Sequence, residues 1–83
     1  MLIVLIIGKI MKPNYTVIIQ KEDDMFVSLC PELDIASQGF TIEESKTNLK
    51  EAIELFLETA SLNEIAERTN NEFYITSLEV EIA

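Results

Sequence analysis

Carboxylates are the only side chains numerous enough in this chain to suggest chemistry: fifteen Asp and Glu stand against six Lys and Arg, with no histidine and one cysteine. Clustered carboxylates can hold a divalent metal or share protons in acid–base catalysis. Glu22-Asp23-Asp24 is the tightest cluster, but three consecutive side chains point in different directions. The D-x-[DN]-x-[DN]-G spacing of a calcium loop never occurs. Glu51, Glu54 and Glu58 share one helical surface at i, i+3 and i+7 with no second motif facing them, which is the pattern of a solvated helix face. A metal-dependent nuclease is the enzyme class such carboxylates leave open, and it ranks below the binding roles developed here.

The remaining reactive residue types lack what would activate them. Without histidine there is no imidazole base and no histidine-based triad. Ser28, Ser37 and Ser45 have no G-x-S-x-G context. Cys30 precedes Pro31 with no basic neighbour to lower its pKa, so a small buried side chain is expected. Gly8 and Gly39 are the only glycines, too few for a phosphate-cradling loop. The expectation is a protein that is not an enzyme, with no catalytic residue, cofactor or metal. A single cysteine excludes a disulfide framework and suits a reducing, cytoplasmic setting.

Charge points to the kind of partner. Residues 1–21 hold three lysines and no acid, whereas residues 22–83 hold all fifteen acids against Lys46, Lys50 and Arg68, a net of −12 for that part and −9 for the chain. Such a surface repels phosphate backbones, so direct nucleic-acid binding is disfavoured, while a basic protein would be attracted.

The elements that must position these acids follow from periodicity. Eighty-three residues make one domain, and 48% hydrophobic with 25% charged residues is a folding composition, not a disordered one. Tyr15 to Lys21 is rich in β-branched residues and reads as a strand; Glu22-Asp23-Asp24 is a polar turn; Met25 to Cys30 is a second strand, completing a hairpin that Pro31 ends. Ile35 to Gly39 is a third, shorter strand. Thr41-Ile42-Glu43-Glu44 is a capping box: the Thr41 hydroxyl can accept from the Glu44 amide while the Glu44 carboxylate reaches back to the Thr41 amide. In the helix that follows, Ile42, Leu49, Ala52, Ile53, Phe56 and Ala60 share one face, with Glu43, Glu44, Glu51, Glu54 and Glu58 opposite. Leu57 is marginal and Leu55 lies among the acids, a pointer to a partner surface. Ser61 to Arg68 can form a further short helix. Phe73 to Ile82 alternates, with Leu78, Val80 and Ile82 on one side and Glu79 and Glu81 on the other, and is expected to be the last strand. The fold class is therefore α+β: a single β-β-β-α-β domain, an antiparallel sheet with one long helix on one face.

The first ten residues are an apolar extension whose seven-residue run, Met1 to Ile7, is far short of the roughly 20 residues a membrane helix needs. With no basic flank or small-x-small cleavage site it is a poor signal peptide, and no membrane association is expected. Met11 is read as the natural start, with residues 1–10 upstream of it and 11–83 the domain; an extra strand over residues 1–10 is the alternative.

Taken together, Tyr15-Thr16-Val17-Ile18-Ile19, Met25-Phe26-Val27-Ser28-Leu29-Cys30-Pro31-Glu32-Leu33, Ser37-Gln38-Gly39-Phe40-Thr41-Ile42-Glu43-Glu44 and Asn48-Leu49-Lys50-Glu51-Ala52-Ile53-Glu54-Leu55 resemble the HicB antitoxin family. The likeness runs from about Tyr15 to Ala60, and Ser77 to Ile82 is similar to the ending of its short members. It implies a fold like a partial ribonuclease H without that activity. It also implies a role in binding and neutralising a small basic HicA-like toxin that cleaves mRNA. Longer members add a C-terminal DNA-binding domain, for which residues up to 83 leave no room, so DNA binding is not carried over. Four positions depart from the family pattern. Asp23-Asp24-Met25 and Asp34-Ile35 stand where glycine is common, Phe40 replaces an acid before the capping threonine, and Ser45 replaces alanine.

Masking a cationic partner needs acids at the edge of an ordered scaffold. Those expected to do so are Asp23, Asp24, Glu32 and Asp34 in loops, with Glu43 and Glu44 at the helix start. A homo-oligomer, dimer or tetramer, is also expected. The alternative function is an orphan HicB-like interaction or scaffold domain that oligomerises through sheet edges without a toxin.

Overall fold

A two-residue connection sets the register of the whole sheet. In the computed structural model, which describes residues 14–69 and 72–83, Glu22 pairs with Met25 across Asp23-Asp24. Asp23 has a positive φ of 53°, a conformation that aspartate tolerates better than most side chains. From this turn β1 (Ile18–Glu22) and β2 (Met25–Cys30) form an antiparallel ladder, and β2 pairs antiparallel with β3 (Ile35–Gly39), giving the order β1-β2-β3. The second turn also places an aspartate, Asp34, at positive φ (54°).

Helix α1 (Ile42–Thr59) begins as the capping box requires, with the Glu44 amide donating to Thr41 Oγ1 at 3.0 Å. The Glu44 carboxylate does not return to the Thr41 amide as expected; it accepts from the Phe40 N–H at 3.1 Å, one residue earlier. Gly39 makes the tight exit from β3 possible. A Cβ there would lie 2.5 Å from Ser45 N and 2.9 Å from Glu44 Cβ, so the first helical turn sits on the glycine backbone. The short helix foreseen near Ser61–Arg68 is α2 (Leu62–Thr69), with Ser61 Oγ accepting from the Glu64 amide at 3.1 Å.

The helix packs mainly on β3 and β2 and only lightly on β1. Ser28 on β2 faces it, its hydroxyl donating to the Ser45 carbonyl at 2.8 Å, and alternation then turns Cys30, Ile35, Ser37 and Ile19 to the same side. Cys30, Leu33, Leu49 and Ile53 form the buried core, with Tyr15, Val17, Ile35, Phe56 and Leu57 packed around it. Leu49, Ile53 and Phe56 thus serve as the apolar pattern requires. Ile42 does not: it is half exposed, because the first turn overhangs the end of β3.

The expected first strand is shorter than its apolar pattern, starting at Ile18 and not at Tyr15. The ladder register would set Thr16 opposite Pro31, where β2 has ended, and the Thr16 N–H donates instead to both carboxylate oxygens of Glu32, at 2.9 and 3.2 Å. The last expected strand is absent. Residues 72–83 form neither helix nor strand, and Leu78, Val80 and Ile82 are exposed. Alternation supplies one apolar side, but a strand also needs a backbone partner, and none of the described residues provides one. The α+β class, the antiparallel sheet and the long helix on one face stand; the terminal strand does not. The apolar segment 1–10 and the choice between Met1 and Met11 lie outside the described residues. Among those described, no helix is long and apolar enough to cross a membrane.

Candidate functional site

The strand register sorts the six acids expected at a partner surface into two groups. Asp23 and Asp24 lie at the β1–β2 turn, and Phe26 at that end of β2 pairs with Gly39, so the turn shares an end of the sheet with Glu43 and Glu44 at the start of α1. Glu32 and Asp34 lie in the β2–β3 turn at the other end, the six-residue length of β2 away, roughly 17–20 Å.

The first group is exposed and sits beside apolar surface. Glu22, Asp23 and Asp24 line a shallow depression together with Met25, Val27, Gln38 and Phe40. Phe40 is 67% exposed and Ile42 49% exposed. Neither was expected outside: Ile42 falls on the apolar arc of the helical wheel, and aromatic residues are usually core. One signal in the sequence does give Phe40 away. It occupies the position before the N-cap, where an apolar side chain normally packs on the residue five further on. That residue is Ser45, which is buried and spends its hydroxyl on the Ile42 carbonyl at 2.8 Å. Phe40 therefore has no apolar staple partner and stays in solvent.

Of the second group, Glu32 is tied into the fold. Glu32 accepts from the Thr16 amide and lies 3.8 Å from the Cys30 thiol. Burial opposes its charge, but the hydrogen bonds from Thr16 prevail and hold its carboxyl below the usual range. The buried Cys30 thiol is pushed up by burial, opposed in part by a backbone hydrogen bond at Leu33, and the nearby Glu32 carboxylate adds to the rise. A thiol held protonated in this way is a core group and a poor nucleophile. Asp34 is exposed in its positive-φ turn. Next to it, the Arg68 guanidinium of α2 donates to the Leu33 carbonyl, stacks 4.5 Å from the Phe56 ring centroid and pairs with Glu64 at 3.4 Å.

Among the described residues no three His, Cys, Asp or Glu side chains converge to hold a metal ion. Open acids next to Phe40 and Ile42 can do something else: attract a cation at long range and then bury an apolar side chain or the stem of a lysine or arginine.

No family model matches the chain, and no solved structure matches it. A UPF0150 protein of Synechocystis sp., ssr1765, is 48% identical over 48 residues, which is 55% of this chain. The chain spans about 61% of that relative's length, and what the two share is a 48-residue segment.

Proposed function

We propose that this protein is a HicB-like antitoxin of a type II toxin–antitoxin pair. It binds and neutralises a small basic HicA-like toxin that cleaves mRNA. The reading rests on the HicB-like pattern from Tyr15 to Ala60, and the likeness to a UPF0150 protein supports it. The single observation that carries the binding role is the open end of the sheet. There Asp23, Asp24 and Phe40 line one depression, and Ile42 and Glu43 are exposed at the adjoining start of α1. Protein interfaces are commonly built this way, with an apolar anchor inside a polar rim that excludes water. A toxin covers its own RNA-binding cations when it docks on such a surface, and a net charge of −9 speeds the encounter.

The test is co-expression with the small basic protein encoded beside this one. A stable complex that restores growth and loses affinity on Phe40→Ala is the expected result. No complex at moderate salt would sink the pairing.

The second reading, an orphan HicB-like scaffold that assembles with itself and has no toxin, is favoured by a different observation. Leu55 (60% exposed) and the apolar side chains of residues 73–82 are uncovered in the single chain.

A further inference from the structure

Six of the eleven large apolar side chains exposed among the described residues lie in one short stretch: Phe73, Tyr74, Ile75, Leu78, Val80 and Ile82. Leu78, Val80 and Ile82 alternate with Glu79 and Glu81, and their exposures are 86%, 70% and 96%. The alternation is that of a half-buried strand, yet the segment has no ladder. Its own body does not cover it.

The sheet offers two outer edges to such a strand, and they differ. On β3 the Gln38 carbonyl accepts from the Asn48 side chain at 2.8 Å, and the adjoining Phe40 N–H is taken by Glu44. Side chains of α1 thus occupy backbone groups along that edge. On β1 no described side chain bonds to the backbone of Ile18–Glu22, and α1 leans away toward β3 and β2. The helix side of β1 is left with Val17 and Ile19 only half buried. Among the described residues, one open edge with half-buried Val17 and Ile19 beside it matches one unpaired strand with a single apolar side.

We propose that residues 73–82 form a donor strand that pairs with the β1 edge of a second copy of this chain, each copy giving its strand to the other. Leu78, Val80 and Ile82 then lie beside Val17 and Ile19 of the second copy, and Glu79 and Glu81 face solvent. Ten residues reach roughly 33 Å when extended, about twice the length of β1, so the segment can cross between two bodies and still pair along the full edge. Reciprocal exchange closes as a two-fold dimer and uses up both donor strands. The proposal does not depend on the toxin-binding reading, since it rests on the β1 backbone edge and residues 73–82 and not on Asp23, Asp24, Phe40 or Glu43.

Sedimentation equilibrium of the full chain, combined with amide exchange over residues 73–82, tests it. The expected result is a dimer whose tail amides become protected only at concentrations where the dimer forms. Val80→Pro, which removes a ladder donor, and Val80→Asp, which charges the apolar side, should each weaken dimerisation at least about tenfold. The far-ultraviolet helix signal should be unchanged, because the segment lies outside the core. A native chain that stays monomeric at all concentrations overturns the proposal. So does a dimer that both variants leave intact, and so does tail protection independent of concentration, which would put the strand on its own sheet. Protection that arises only when a basic partner protein is added overturns it as well.

Discussion

The two ends of the sheet use the same residue type for opposite purposes. At the β2–β3 turn, an acid and an arginine are consumed by the fold: Glu32 completes the backbone of Thr16 where the ladder has run out, and Arg68 anchors α2 to the Leu33 carbonyl. At the β1–β2 turn and the start of α1, Asp23, Asp24 and Glu43 make no side-chain hydrogen bond or ion pair with any described residue. There the holding is done by the Thr41 hydroxyl cap, by the Glu44 carboxylate on the Phe40 amide and by the close approach at Gly39. The difference shows why counting carboxylates says little about function. An acid that satisfies a buried amide is part of the scaffold, and one left in solvent beside Phe40 is available to a partner.

The contrast predicts where substitutions hurt folding. Gly39→Ala should have the largest effect, because its Cβ would meet backbone atoms of Glu44 and Ser45 with no flexible side chain to give way. A loss of about 3 kcal/mol is expected in urea unfolding, at the upper end of overpacking costs. A loss below about 1 kcal/mol would mean that the helix can lift off β3, and that the open end is not held by this contact. Arg68→Ala tests the closed end in the same assay. It removes a charged hydrogen bond to Leu33 and the stacking on Phe56, for about 2 kcal/mol; the exposed pair with Glu64 adds little.

Glu32→Gln sharpens the comparison by pH. Glu32 has its carboxyl pKa lowered in the folded state, so its contribution is fully present above the unfolded carboxylate pKa and fades as pH falls through the folded value. Gln keeps an acceptor for the Thr16 amide but loses the charge. The variant should therefore be about 1 kcal/mol less stable than the native chain near pH 7, and the gap should close on acidification below pH ~4. A gap that persists unchanged at low pH would show that shape, not charge, is what Glu32 supplies.

Much of the scaffold was legible because its signals are local. Pro31 ends β2, Gly39 ends β3 and Thr41 opens α1, and each needs only the residues next to it. Glu22-Asp23-Asp24 reads as a turn for the same reason, whereas the positive φ of Asp23 and Asp34 is visible only in the structure. What periodicity could not supply was pairing. Tyr15 to Val17 look as strand-like as Ile18 to Lys21, but the ladder stops where Pro31 stops its partner. Residues 73–82 have a strand's alternation and no strand partner among the described residues. The candidate site was legible in residue type and not in grouping. Nothing local says that Asp24 and Glu43 share one end while Glu32 belongs to the other, because that follows from the register of Phe26 with Gly39.

The finest division lies within the open end, between Thr41 and Glu43, two residues apart. Thr41 accepts the Glu44 amide and closes the first turn of α1, so Thr41→Ala should cost about 1 kcal/mol of stability. Its effect on partner binding should be no larger than that loss explains. Glu43 is exposed and caps nothing through its side chain. Glu43→Gln removes only a favourable charge near the helix N-terminus and should cost about 0.3–0.5 kcal/mol. If the acidic end receives a basic partner, the same substitution should slow association, with the difference from the native chain shrinking as salt is raised. Stopped-flow association at two ionic strengths, beside urea titrations of both variants, separates the cases. Equal stability losses with equal binding losses would mean that helix order alone governs the surface. A binding loss for Glu43→Gln without a matching stability loss marks Glu43 as a contact in its own right.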